Sequence, residues 1–409
     1  MLRSPAARLP STFHRLAWSN LAAQSAEQIG LAAAPLVAVL ALGIGAGGTG
    51  ILQTAQTLPF LLLAVPAGLL ADRMPRRRLM ATAEGLRAAS LITLFALTAL
   101  GCLSLPLLAA LGFIGASGTI AYSVAAPALV PQLVPRAALA AANGRIELAR
   151  TVAFAAGPAL AGALVGWTGG EPAFALAAAL SLIAVHLLAG LGESVPPARR
   201  HSRLLAELRE GASFVGGHAL LLPVFMTQVI FNMAFFVLQA VYVPYAVHRL
   251  GLSPAEVGAT LASYGVGMVM GALLAARVMR TLPLGAVIAI GPLAGLAAAL
   301  VMILTIWAPS SALAGLSFFL MGAGPIIWVI STTTLRQLVT PPRLLGRVSA
   351  LFVLATGARP LGAAVGALLG ALYGAEVCLA VAAFGFLAQA LVILSSPVRH
   401  LVQQPAAAE

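Results

Sequence analysis

Gly68-Leu69-Leu70-Ala71-Asp72-Arg73-Met74-Pro75-Arg76-Arg77-Arg78 places five charged side chains in eleven residues of a chain that is only 8% charged. Apolar runs flank it, Gly50–Ala71 before and Leu79–Gly101 after. Each is near the ~20 residues that a membrane helix needs. The rest of the 409 residues repeats the pattern. The chain is 61% hydrophobic, against roughly 45–50% apolar and about 25% charged in a soluble domain. Its mean hydropathy is +1.01. A soluble enzyme, a disordered chain and a disulfide scaffold are all excluded by this balance.

Apolar runs separated by Gly, Pro and Arg clusters predict about twelve transmembrane helices, the first over Trp18–Leu42 and the last over Glu376–Leu394. The most polar stretch, Glu193–Gly217, holds Pro196-Pro197 and then Arg199, Arg200, Arg203, Glu207, Arg209 and Glu210. Leu204, Leu205, Leu208 and Phe214 give its later part an amphipathic surface helix. The expected organisation is a six-helix bundle over 1–193, a cytoplasmic linker over 194–217 and a second six-helix bundle over 218–409. The first apolar run follows Arg3, Arg8 and Arg15, lacks a small-residue cleavage site, and reads as a retained helix.

The formal net charge of +12 comes from 23 basic residues, all Arg. With the amino terminus placed in the cytoplasm, nineteen of them fall in cytoplasmic segments and Arg249 alone falls outside. Arg87, Arg150 and Arg359 fall within helices. Both termini are therefore expected in the cytoplasm, in a cell inner or plasma membrane. The charge faces anionic lipid headgroups rather than nucleic acid.

Gly144-Arg145 opens the fifth helix, with Pro158 inside it; Gly346-Arg347 opens the eleventh, with Pro360 inside it. All three correspondences share one offset of 202 residues. The pattern predicts an all-α membrane fold of two bundles related by a pseudo-two-fold repeat, the architecture of a transporter that rocks about a central site.

The Gly68–Arg78 segment resembles the signature loop of the major facilitator superfamily, G-x-x-x-D-R/K-x-G-R-R/K, with Pro75 where the pattern has Gly. Three further segments resemble its branch of enterobactin and macrolide exporters. They are Glu84-Gly85-Leu86-Arg87, Gly157-Pro158-Ala159-Leu160-Ala161-Gly162, and Leu205 to Phe214 of the linker. The resemblance implies export of a small amphiphilic compound against proton entry, by one polypeptide acting as a monomer and with no cofactor. It also implies a latch of Asp72, Arg73, Arg76 and Arg77 with Arg347, and a cavity lined by helices one, four, seven and ten.

Charges within the bilayer cost about 2.5–3.5 kcal/mol each on insertion scales and are mostly functional. Glu27 lies about ten residues into helix one, roughly 15 Å along it, with no cation beside it on that helix. It shares a face with Asn20, Gln24 and Gln28. It reads either as a proton carrier or as a structural hydrogen bond to a neighbouring helix. Glu84 and Arg87 are spaced to pair near the cytoplasmic surface, and Glu84 is the second proton candidate. Glu147 and Arg150 repeat that spacing. Arg359 sits deep in helix eleven, with no acid on its own helix, and needs a partner from another helix or from an anionic substrate.

Gln228, Asn232, Gln239 and Tyr242 share one face of helix seven. With Trp328 and Thr332 on helix ten and Tyr122 on helix four, they outline a mixed aromatic and polar cavity that suits amphiphiles. An importer or facilitator of a small metabolite, or a lysophospholipid flippase, fits the same fold. Gly45-Ala46-Gly47-Gly48-Thr49-Gly50 matches a dinucleotide fingerprint, but it follows an apolar helix rather than a strand. The six His and two Cys have no metal-ligand spacing, and no nucleophile motif or phosphate-binding loop occurs. The sequence is thus that of a transporter, not an enzyme.

Overall fold

The computed structural model describes residues 10–63, 66–67, 70, 74–135, 138–191, 204–341 and 343–402, which form helices and short turns with no strand among them. The helices are α1 (Ser11–Leu40), α2 (Ala46–Leu62), α3 (Arg76–Ala99), α4 (Leu105–Leu133), α5 (Leu139–Thr168), α6 (Glu171–Ala189) and α7 (Leu204–Gly217). They continue as α8 (Leu221–His248), α9 (Pro254–Thr281), α10 (Leu284–Leu304), α11 (Ser311–Val339), α12 (Leu345–Leu354), α13 (Ala358–Tyr373) and α14 (Ala375–Ser395). Eleven stretches among the described residues are long and apolar enough to cross a membrane, with Leu345–Tyr373 counted as one. The seventeen-residue α2 supplies a further apolar helix.

The expected eleventh helix is broken. A 3-10 turn over Ala355–Gly357 separates α12 from α13. Pro360 causes this locally: it has no N–H, and its ring crowds the carbonyl four residues back, that of Thr356. Pro158 stands at the corresponding place, but α5 runs unbroken through it. Helix one starts earlier than its apolar run suggests, at Ser11 after Pro10.

The chain divides into two compact units. One comprises 1–42 and 62–200; the other comprises 43–61 and 201–409. Within the first, α1 packs on α5 and α6, and α3 packs on α4 and α6. Within the second, α8 packs on α13 and α14, and α10 packs on α11 and α14. The first, third, fourth, fifth and sixth spans thus pair among themselves as the seventh, ninth, tenth, eleventh and twelfth do. By packing, the 43–61 segment groups with the second unit.

Small residues set the close helix approaches, since lipid gives apolar side chains little reason to leave it for one another. A Cβ added at Gly362 would stand 2.2 Å from the Met233 carbonyl oxygen of α8, and one at Gly50 would stand 2.4 Å from Cα of Ala367. Gly47 faces Ala371 in the same way, and the Thr49 hydroxyl donates to the Ala240 carbonyl at 2.8 Å. Of the apparent dinucleotide glycines, Gly47 and Gly50 are therefore helix-packing residues, while a Cβ at Gly45 would meet nothing within 4 Å. The amphipathic α7 docks on α12: Arg347 Nη1 donates to Glu210 Oε2 at 2.5 Å, and a Cβ at Gly211 would stand 2.9 Å from the Arg347 carbonyl oxygen.

Candidate functional site

The interior of the first unit holds a charged cluster built from four helices. Arg87 Nη1 donates to Glu84 Oε1 at 2.5 Å, one turn back on α3. Glu27 Oε2 of α1 is 3.6 Å from Arg87 Nη2. The guanidinium also donates to the Ala23 carbonyl of α1 at 3.2 Å and to Thr119 Oγ1 of α4 at 2.6 Å. Ser181 Oγ of α6 donates to the other Glu84 oxygen at 3.2 Å. Gly118 allows this assembly, because a Cβ there would stand 2.5 Å from the Ala83 carbonyl of α3.

The two carboxylates are held differently. The Glu84 side chain is wholly buried and Arg87 is 5% exposed, whereas Glu27 is 14% exposed. A buried ion pair needs short contacts and further hydrogen bonds to offset its desolvation, and Glu84 has both. Glu27 has the longer contact and the more open side. Two ionised carboxylates against one guanidinium leave a formal charge of −1, and one proton neutralises the cluster.

Glu27 has a cationic partner, supplied by α3, which no pattern on helix one reveals. The Glu84–Arg87 pair forms as its spacing predicts and is buried beneath α1, α4 and α6. Thr119 and Ser181 are participants that the sequence reading missed. A lone hydroxyl in an apolar helix carries little signal until the opposite helix is known.

The polar stripe on α1 is also divided. Asn20 Nδ2 donates to the Ile146 carbonyl of α5 at 3.3 Å, and Gln28 packs against Gly157 of α5, where a Cβ would stand 2.4 Å from its own. Both serve the α1–α5 contact, and Gln24 is half-buried. Tyr122 lies in the core with Phe13 and Leu16.

The second unit has its own polar line. Gln228 Nε2 of α8 donates to the Phe352 carbonyl at 2.9 Å, and Asn232 Nδ2 donates to the Gln228 carbonyl at 2.8 Å. Arg359 Nε of α13 donates to Asn232 Oδ1 at 2.9 Å. The guanidinium carbon lies 5.0 Å from the Phe60 ring centre and 5.5 Å from that of Phe236. The break in the eleventh span explains Phe352: it falls in the last turn of α12, where carbonyls lack helical partners. Gln239 is half-buried on the same helix. Tyr242 leaves the stripe and hydrogen-bonds with Thr260 of α9. Trp328 packs on Gly291 of α10. Thr332 gives its hydroxyl to the Trp328 carbonyl at 2.7 Å.

Of the latch residues, Asp72 and Arg73 lie outside the described residues. Arg76 is the first residue of α3. Arg77 donates to the Ala189 carbonyl at the end of α6 at 2.9 Å, and Arg15 donates to the next, Gly190, at 2.7 Å. These cations cap a helix C-terminus, where the dipole favours positive charge. Glu147 and Arg150 pair on α5 as their spacing predicts.

The Major Facilitator Superfamily profile matches residues 16–367. A transporter of the same type from Sinorhizobium fredii, y4rN, is 31% identical over 250 residues, which are 58% of each chain. The multidrug efflux pump Tap of Mycobacterium tuberculosis is 27% identical over 279 residues, 64% of this chain and 65% of that one. The chain thus matches less than two thirds of these relatives' length. Among solved structures, the nucleoside transporter NupG has a TM-score of 0.75 at 12% identity, covering 94% of this chain and 99% of that one. A bacterial homologue of the iron transporter ferroportin has a TM-score of 0.74 at 16% identity, covering 94% and 98%. At such identities these structures speak for the fold.

Proposed function

The chain belongs to the Major Facilitator Superfamily, a family of membrane transporters, and on that premise we propose that it exports a small amphiphilic compound in exchange for protons. The observation that carries this reading is the Glu27–Arg87–Glu84 cluster. Ionisable groups at membrane depth are expensive and mark proton relays. Here one guanidinium faces two carboxylates. Glu84 is the fixed counter-ion, bound by Arg87 and Ser181. Glu27 exchanges the proton. When ionised it draws on Arg87; when protonated it lets Arg87 rest on Glu84 and Thr119, and the cluster is neutral. Coupling needs two such states with different helix contacts, and α1 carries Glu27 while α3 carries Arg87.

The efflux pump Tap supports export of drug-like amphiphiles as the class of activity. The half-buried Gln239 and the Gln228–Asn232–Arg359 line form the substrate side of this proposal. Both termini are assigned to the cytoplasm, because that orientation places nearly all Arg on one side. The protein works as a monomer in a bacterial inner membrane.

The test is flux into proteoliposomes of a panel of dyes, macrolides, siderophores and lysolipids, with and without an imposed pH gradient. Uphill movement of a panel member only with the gradient supports the proposal. Equal movement in both conditions identifies a facilitator. Movement of lysolipid alone identifies a flippase.

A further inference from the structure

We infer that the neighbouring starts of α1 and α5 hold the headgroup of an anionic phospholipid, gripped by His14 and Arg145, with its chains along Trp18 and Leu148. The ground is a close approach of two basic side chains. Arg145 Nη1 lies 3.4 Å from His14 Nδ1. An Arg nitrogen only donates, so His14 accepts there and carries its proton on Nε2, a second donor. Among the described residues Arg145 has no other polar partner. Arg15, next to His14, gives Nη1 to the Gly190 carbonyl at 2.7 Å and meets no acid. Glu147, the acid nearest to Arg145 along the chain, is bound to Arg150. The first turn of α1 has neither an acid nor a side-chain cap, so its N–H groups add partial positive charge. Positive charge thus gathers at the starts of two helices of one unit, with no counter-ion for it among the described residues.

What lies beside these groups selects a lipid over a soluble anion. Helices α1 and α5 run side by side in one direction, since Asn20 meets the Ile146 carbonyl and Gln28 meets Gly157. Trp18 is one turn beyond His14 on the same face of α1, and Leu148 and Val152 follow Arg145 at steps of three and four on α5. His14, Arg15 and Arg145 are exposed, and so are the apolar residues below them, Trp18 at 61% and Leu148 at 62%. Each helix therefore presents a basic side chain and, about 4.5–6 Å further along its axis, an apolar one. A phospholipid has its phosphate and its acyl chains in the same order. An indole at this level suits the headgroup boundary, and basic sites between helices at a membrane surface take anionic headgroups. The guanidinium adds a planar edge that matches phosphate oxygens.

The test reads Trp18 directly. The full-length protein is placed in phosphatidylcholine nanodiscs that contain a small fraction of phosphatidylglycerol or phosphatidylcholine with brominated chains, which quench a neighbouring indole. Each protein is measured with and without Trp18→Phe, and the difference isolates the Trp18 signal. Brominated phosphatidylglycerol is expected to quench Trp18 with about fivefold or more preference over brominated phosphatidylcholine. Arg145→Gln and His14→Ala should each bring that ratio close to one, and high salt should lower it. Arg343→Gln, at an exposed arginine of the other unit, should leave it unchanged. A ratio near one in the wild type, an unchanged ratio in Arg145→Gln and His14→Ala, or an equal loss in Arg343→Gln overturns the inference. Loss of the preference on adding inorganic phosphate at constant ionic strength also overturns it, by assigning the pair to a soluble anion. If one of the two site variants does not fold, the other decides. No gradient or transported compound enters this assay, so its outcome is independent of the export reading.

Discussion

Glu27 Oε2 on α1 lies 3.6 Å from Nη2 of Arg87 on α3, while the other terminal nitrogen of the same guanidinium holds Glu84 at 2.5 Å. One buried cation is therefore shared unequally by two acids. The tighter partner is fully enclosed and the looser one is partly open, so the two carboxylates have different tasks despite their common neighbour.

Arg87→Leu leaves Glu84 buried without its cation. Breaking one side of a buried pair costs about 3–5 kcal/mol, whereas replacing both sides by apolar groups is often neutral. Arg87→Leu is expected to lower the thermal midpoint of the detergent-solubilised protein markedly, and Glu84→Leu added to it should restore much of the loss. A double variant no more stable than Arg87→Leu would show that Glu84 is not the anchor.

Gly118→Leu forces side-chain atoms into the Ala83 carbonyl, since even a Cβ would stand 2.5 Å from it. Overpacking costs roughly 1–3 kcal/mol. It should also draw Thr119 away from Arg87, so transport should fall further than stability does. Gly85→Ala on α3 is the control: a Cβ there meets nothing within 4 Å, and it should be silent in both assays.

His218 gives a pH dependence. Its Nδ1 accepts from the backbone N–H groups of Leu220 and Leu221 at 3.2 and 3.3 Å, at the start of α8. Only the neutral ring has that acceptor, and burial holds the His218 pKa below its ordinary 6.5. A folded-state pKa below the unfolded one means that the stabilisation is full above about 6.5 and is lost as pH falls through the lower folded value. Wild type and His218→Ala should differ in thermal midpoint at pH 8, by the modest ~0.5–1 kcal/mol of a cap, and converge toward pH 5. A difference that grows on acidification would contradict this.

Arg347 and Glu210 make a short but exposed pair between α12 and α7. Exposed ion pairs contribute about 0–1 kcal/mol and are screened by salt. Glu210→Gln should cost little, and less still at high salt. Gly211→Val should cost more, because the Arg347 carbonyl leaves no room for its side chain. The reverse order would mean that charge rather than close packing docks α7.

The architecture was legible in the sequence because bilayer thickness and the need to satisfy every backbone group reduce the fold to apolar runs and their spacing. The 202-residue offset marked helices that do hold matching places within their own units. Hydropathy was silent on the rest. Pro158 and Pro360 share the offset, yet only Pro360 breaks its helix, because a proline's effect depends on which neighbours take up the freed carbonyls. Asn232 and Arg359 were each visible as polar groups in apolar helices, but their hydrogen bond spans 127 residues. The pairing of Glu27 with Arg87 was hidden for the same reason: facing helices, not sequence neighbours, supply the partners of intramembrane charges. Arg77 lay in the signature loop and turned out to cap α6, a use of cations that no loop motif announces.

The most direct test of the central claim is uphill accumulation of a transported dye in proteoliposomes under an imposed pH gradient, comparing wild type with Glu27→Gln, with gradient-free exchange measured in parallel. Gln stands for a permanently protonated Glu27. The account predicts that the variant keeps exchange down a substrate gradient and loses accumulation driven by protons. Undiminished uphill transport by Glu27→Gln would contradict it and move the proton to another group, with Glu84 the first to examine.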